Sequence, residues 1–214
     1  MKYPYLLFDL DGTLIDPGEG ITNSVTHALR QMGIEPPPRE ALYPFIGPPL
    51  IESFEEFYGL SGDQTVRAIA FYREYFREKG IFENEIYSGI PDLLAELRTR
   101  GYTLLVATSK PEQFAERILH HFGLEGYFSY IFGSTMEETR TKKSEVVAWA
   151  LEQARIPPRE ALMIGDRRHD VVGARGCGVD CMGVLYGYGS RIELEQAGAA
   201  FLAETVADVA RILE

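Results

Sequence analysis

The chain has 214 residues and a formal net charge of -11, with 45% apolar and 25% charged residues. This is enough chain for one sizeable core plus a smaller insertion, in the composition range of a soluble globular protein. The acidic balance, without any basic run, argues against nucleic-acid polymers and anionic membranes as partners; a small anion is still accommodated, because a metal ion and a few helix N-termini reverse the field locally.

The first apolar run, Tyr5 to Phe8, ends in an acidic, glycine-bearing turn. It lacks a small-residue cleavage site and reads as a first strand, not a signal peptide. No segment is long and apolar enough to span a bilayer, and the expected location is the cytoplasm. Between Asp16 and Asn84 no strand stands out. Helical spacing covers Ile21 to Met32, Leu50 to Tyr58 and Gln64 to Lys79, with Ser61 and Gln64 at capping-box spacing before the last. Pro36, Pro37, Pro38, Pro44, Pro48 and Pro49 punctuate the connections.

Beyond this block, apolar runs alternate with helical stretches. The runs are Tyr102 to Ala107, Tyr130 to Phe132, Ala161 to Ile164 and a weaker Cys181 to Leu185. The helical stretches are Asp92 to Arg100, Glu112 to His121, Ser144 to Arg155 and Val171 to Gly176. Continuous apolar runs suit strands of a parallel sheet buried on both faces. The rhythm predicts a doubly wound α/β fold with a parallel sheet, formed by residues 1–15 and 85–214, interrupted by an all-helical insertion over 16–84.

Four segments carry chemistry. In Asp9-Leu10-Asp11-Gly12-Thr13, strand alternation puts Asp9 and Asp11 on one side at the strand's carboxyl end, where open α/β sheets bind ligands. Two carboxylates there repel unless a cation or shared proton compensates, and Gly12 permits the sharp turn. Thr108-Ser109-Lys110-Pro111 closes the second run with hydroxyls and backbone N–H groups at a helix start, an anion cradle, with Pro111 suited to the first helical turn. Lys142-Lys143 precede another helix; alone, the pair reads as a solvated charge run. Gly165-Asp166-Arg167-Arg168-His169-Asp170 follows the run ALMI, and Asp166 and Asp170, one helical turn apart, face one site if a helix begins here; a solvated helix N-terminus is the alternative reading.

The order of these segments resembles the haloacid-dehalogenase superfamily, whose four motifs it matches across essentially the whole chain, and the helical block after strand one corresponds to that family's cap. DPGEGITNSV, FIGPPL and YGYGS resemble a phosphoglycolate-phosphatase-like and 5′-nucleotidase-like subgroup. The resemblance implies a Mg²⁺-dependent phosphatase acting on a small phosphorylated metabolite such as phosphoglycolate or a nucleoside monophosphate. Asp9 would attack phosphorus, and Asp11 would protonate the leaving group and then deprotonate water. Asp9, the backbone carbonyl of Asp11, and Asp166 would hold Mg²⁺, with Asp170 orienting a metal water or the lysine. Gly12, Thr108, Ser109 and Lys143 would meet the phosphate, and Gly47 of FIGPPL the rest of the substrate. Arg140-Thr141-Lys142-Lys143 fits the subgroup's R-x-x-K with Lys143 as the match.

The same motifs serve phosphomutases, but the run after Leu14 is Asp16-Pro17-Gly18-Glu19-Gly20 and lacks a mutase-like T-x-x-x-H. A non-catalytic phosphate-binding protein on this fold would have no need of Asp9, Asp11 and Lys143 together. Cys177 and Cys181 read as small buried side chains and not a zinc site. Ser190 and Glu193 match a capping box, Trp149 reads as core, and His120 and His121 as partners of a helix dipole. The oligomer expected is a monomer or homodimer.

Overall fold

A computed structural model describes residues 2–136 and 139–214. Two compact units are present: residues 1–15 with 86–214, and residues 16–85.

The first unit is built on strand β1 (Tyr5–Phe8), whose Leu6, Leu7 and Phe8 are fully buried. A two-residue strand, β2 (Ile15–Asp16), pairs with another, β3 (Glu85–Ile86), where the chain leaves and re-enters this unit. Helix α4 (Ile90–Thr99), strand β4 (Thr103–Pro111), helix α5 (Glu112–His121) and strand β5 (Tyr130–Ser134) follow the insertion and its three helices. Then come α6 (Lys143–Ala154), β6 (Ala161–Gly165), α7 (Arg168–Gly176), β7 (Asp180–Val184), α8 (Arg191–Ala197), β8 (Phe201–Ala203) and α9 (Val206–Ile212). The sheet runs β5-β4-β1-β6-β7-β8, and every pairing is parallel. Strand β1 is central, so the chain winds outward from it in both directions. The crevice beyond the carboxyl ends of β4, β1 and β6 is therefore the topological switch point, where such sheets bind ligands.

The apolar runs form strands because both faces are covered. Leu7, Leu105, Ala107, Met163 and Cys181 pack with Val146, Val147, Ala150, Val171, Ala174 and Leu194 from α6, α7 and α8. Each fully buried Leu or Phe contributes about 1.5–3 kcal/mol over exposure. Strand β8, the strand pair β2–β3 and helix α9 are short elements that the apolar periodicity did not mark. Trp149, expected in the core, is partly buried under the Arg140 guanidinium, 4.9 Å from its ring centroid. Cys177 and Cys181 are free thiols, Cys181 buried.

The second unit holds α1 (Gly18–Gln31), α2 (Leu50–Tyr58) and α3 (Asp63–Glu78). The expected capping box at Ser61 does not form: Gly62 caps α3 without a side-chain bond. Gly20 lies inside α1 at a close approach where a side chain would overlap the Gly80 carbonyl oxygen. Phe45 is 2% exposed and packs on Phe54 and Phe57 with ring centroids 5.1 and 5.3 Å apart, so it is core of this unit.

Candidate active site

At the end of β1 the backbone N–H of Asp9 donates to the Ile164 carbonyl at 2.9 Å, carrying the strand register one residue further. The chain then turns sharply. Gly12 has φ +77°, and its N–H closes the turn on the Ile15 carbonyl at 2.8 Å. A side chain at Gly12 would overlap an Asp166 carboxylate oxygen, so this position admits only glycine on two counts. Asp9 and Asp11 come out buried, 3% and 8% exposed.

Lys143 opens α6. The Glu145 carboxylate accepts from the backbone N–H groups of Thr141 and Lys142 at 3.0 and 3.1 Å, which fixes the helix start. Gly173 of α7 leaves room for the lysine stem. The Lys143 ammonium then reaches Asp9 Oδ1 at 2.7 Å and Asp170 Oδ1 at 2.8 Å, and donates to the Ala107 carbonyl at 3.1 Å. All three of its hydrogens have a destination. Lys142, by contrast, is exposed. Burial by itself would lower the Lys143 ammonium; Asp170 and Asp9 outweigh it and raise the group above its ordinary value.

Asp170 sits in the first turn of α7 with both oxygens engaged, one by Lys143 and the other by the Arg167 N–H at 3.0 Å. Asp166, at the end of β6, accepts from the Tyr188 N–H through Oδ2 at 2.8 Å. Its Oδ1 is buried and has no hydrogen-bond partner among the described residues. Burial first, then Asp170 and Asp9, pushes the Asp166 carboxyl well above the usual carboxylate range; burial also pushes Asp170 up to about 6, against the pull of Lys143.

One oxygen from each of Asp9, Asp166 and Asp170 lies within 4.8 Å of the others. The Asp11 carboxylate is not in that group. With all four ionised, the buried carboxylates of Asp9, Asp11, Asp166 and Asp170 would exceed the two buried ammoniums of Lys110 and Lys143 by two negative charges. A divalent cation matches that excess, the oxygen-only donor set suits a hard ion, and Asp166 Oδ1 is a ligand atom with no competing partner.

Thr108, Ser109 and Lys110 stand opposite the single residue Gly133 of β5, because the register slips between Ala107 and Pro111. Such a bulge re-aims side chains at a strand end. The segment belongs to the strand, and Pro111 is the cap of α5 and not in its first turn. Thr108 is 2% exposed. The Ser109 hydroxyl oxygen is buried with no partner among the described residues. The bulge turns Lys110 inward onto Asp11 Oδ2 at 2.8 Å. Sequence reading passed over Lys110 as part of the cradle; its one signal is a lysine directly after two hydroxyls at a strand end. Burial raises the Asp11 carboxyl and Lys110 opposes it. A stability cycle of Lys110→Met, Asp11→Asn and the double variant, followed by urea unfolding, should give a coupling of about 0.5–3 kcal/mol. Additive effects would mean that the pair contributes nothing.

Gly47 lies in the other unit at φ +104°. His120 pairs with Glu125 at 3.0 Å on the surface, and Ser190 accepts from the Glu193 N–H at 3.1 Å as a helix cap.

A family model described as haloacid dehalogenase-like hydrolase matches residues 6–184. The chain is 45% identical over 214 residues to a 5′-nucleotidase of Pseudomonas aeruginosa, covering 100% of this chain and 97% of that one. It is 44% identical over 184 residues to the tyrosine-protein kinase PtkA of Mycobacterium tuberculosis, covering 86% of this chain and 62% of the kinase. The crystal structure of a "predicted phosphatase" from Clostridium acetobutylicum superposes with a TM-score of 0.98 at 43% identity, over 100% of this chain and 99% of that one.

Proposed function

The chain belongs to the haloacid dehalogenase-like hydrolases and is a phosphatase of that family; from that premise we propose that it hydrolyses a small phosphate monoester through an aspartyl-phosphate on Asp9, with Mg²⁺ as its cation. Nucleoside 5′-monophosphates are the first substrates to try, since the relative of 45% identity is named a 5′-nucleotidase; phosphoglycolate follows from the motif resemblance. The observation that carries the reading is the buried cluster in which Lys143 bridges Asp9 and Asp170 beside the unpartnered Asp166 oxygen.

In the first step a carboxylate oxygen of Asp9 forms a bond to phosphorus as the ester P–O bond breaks, and Asp11 gives its proton to the leaving alkoxide. In the second, water attacks phosphorus, Asp11 takes a proton from it, and inorganic phosphate leaves with Asp9 restored as a carboxylate. Thr108, Ser109, Gly12 and Lys143 hold the phosphate oxygens. Lys143 keeps its charge throughout and offsets that of the phosphoryl group, so positioning and neutralisation supply most of the barrier lowering. Asp9, the Asp11 backbone carbonyl and Asp166 would hold Mg²⁺, and Asp170 keeps Lys143 in place. The bound ion supplies charge stabilisation at the phosphoryl oxygens. The helical unit from Asp16 acts as the cap that selects the leaving group, with Gly47 among its contacts. The cytoplasm remains the proposed location, in keeping with two unpaired thiols.

A panel of phosphate monoesters assayed with and without chelator tests the reading. Chelator should abolish turnover and Mg²⁺ restore it, while Ca²⁺, with its looser and larger oxygen shell, should support little. Full activity in excess chelator refutes the cation assignment. Asp11→Ala should slow single-turnover phosphorylation by roughly 10²–10⁴-fold for an alkyl phosphate and by clearly less for a nitrophenyl phosphate, whose leaving group needs little protonation. Equal losses for the two ester types would remove Asp11 as the acid.

The identity to PtkA favours a second reading, transfer of the phosphoryl group to a tyrosine hydroxyl. The chain spans 62% of that relative's length, so the kinase's activity is not carried over with the core. Incubation with ATP and a tyrosine-containing peptide decides it by whether label reaches the peptide.

A further inference from the structure

We infer that the loop from Tyr186 to Ser190, after β7, is the positioning device of the cation site: it fixes the Asp166 carboxylate in one orientation and ties it to the turn that carries Asp11. The inference rests on the cation reading above and adds to it the loop residues Tyr186 to Ser190, which that reading does not use.

Four contacts support it, all inside the α/β unit. The backbone N–H of Tyr188 donates to Asp166 Oδ2 at 2.8 Å. Gly187, one residue earlier, comes so close that a side-chain carbon there would overlap the Gly12 carbonyl oxygen and stand 2.5 Å from Asp166 Cβ. At Gly189 a side-chain carbon would overlap the Asp166 carbonyl oxygen. Finally, the Tyr186 hydroxyl donates to the Thr13 carbonyl at 3.1 Å, and its ring meets Tyr87 edge-on with centroids 5.2 Å apart. Gly12, Gly187 and Gly189 therefore all pack backbone directly against Asp166, and Gly187 also against Gly12. The loop presents backbone to it instead of side chains.

The physical need for such an enclosure is repulsion. Asp166 is 0% exposed and shares its site with Asp9 and Asp170. A free carboxylate there would rotate away from its neighbours. One N–H on Oδ2 and the close backbone of Gly12 and Gly187 hold it in place and leave Oδ1 without a partner among the described residues. Ligating carboxylates are in turn oriented by hydrogen bonds, and losing such an outer partner typically costs about 10- to 100-fold in metal affinity. The Tyr186 hydroxyl adds a second tether, so the loop moves with the Asp9-to-Thr13 turn as one piece.

The test measures Mg²⁺ binding directly, by calorimetry and by the Mg²⁺-dependent rise in Tm, on wild type, Gly187→Ala and Tyr186→Phe. Gly187→Ala should weaken Mg²⁺ binding about 10- to 100-fold. Tyr186→Phe should weaken it about three- to tenfold, the scale of one hydrogen bond. In both, KM for the substrate at saturating Mg²⁺ should stay near wild type. If the variants lose Tm in cation-free buffer yet bind Mg²⁺ like wild type, the loop only supports folding and the inference is wrong. Should Gly187→Ala not fold, Tyr186→Phe decides alone by the same criterion. If wild type itself shows no Mg²⁺ binding, the cation reading fails first and this inference goes with it.

Discussion

Asp9→Asn should lower kcat for every phosphate ester by roughly 10³-fold or more, because the amide is nearly isosteric with the carboxylate but has no nucleophilic oxygen of comparable strength. The variant should stay folded. Lys143 keeps Asp170 at 2.8 Å and the Ala107 carbonyl at 3.1 Å when Asp9 loses its charge. The local excess of negative charge falls by one, which opposes any loss of packing. Near-native circular dichroism together with a collapsed kcat is therefore the expected pair of results. Wild-type enzyme quenched in acid during turnover should carry one labelled phosphate per chain, and Asp9→Asn none. Residual turnover near the wild-type level, or undiminished labelling of the variant, would sink the covalent mechanism.

Lys143→Met is the substitution with the largest expected effect on stability. The methionine fills most of the stem's volume next to Gly173, so cavity formation is minor and the change is mainly one of charge. Asp9 and Asp170, 3% and 1% exposed, lose their shared cation. Removing one partner from a buried ion pair typically costs about 3–5 kcal/mol, because the other is left charged without compensation. Here two carboxylates are left, in a site already short of positive charge. The cost should appear in cation-free buffer as a fall in urea midpoint with little change in m. Adding Asp170→Asn should restore part of the lost stability, since it removes one of the stranded charges. Activity should not return with it, because Lys143 also neutralises the phosphoryl group. A Lys143→Met protein as stable as wild type in chelator would show that the carboxylates are already neutral there, and the account of the site's charge would have to be redrawn.

Mutational effects of this size depend on a site whose parts were unequally visible beforehand. Asp9, Asp11 and Asp166 could be located because each follows a continuous apolar run, and such runs are readable one strand at a time. Their grouping with Thr108, Lys143 and Asp170 needed the order of four motifs and a resemblance. Lys143 and Lys142 are chemically equivalent in sequence; they differ in that Glu145 fixes the helix start and Gly173 of another helix leaves space for one stem. Lys110 could not be picked out, because its inward turn comes from a register slip between β4 and β5. The close approach of Gly20 to Gly80 is invisible in the sequence for a similar reason: the two lie sixty residues apart in the chain.

Taken alone, the sequence determined the α/β class, the long strands and helices, and which strand ends carry acids. These follow from local periodicity and turn chemistry, which each segment expresses whatever surrounds it. Only the tertiary structure decided which charge meets which: Lys110 with Asp11, Lys143 with both Asp9 and Asp170, and Asp166 with the Tyr188 backbone. The physical reason is that these contacts join segments up to 134 positions apart, as between Asp9 and Lys143, and only the parallel stacking of β4, β1 and β6 brings their carboxyl ends to one crevice, where burial makes each charge depend on the others.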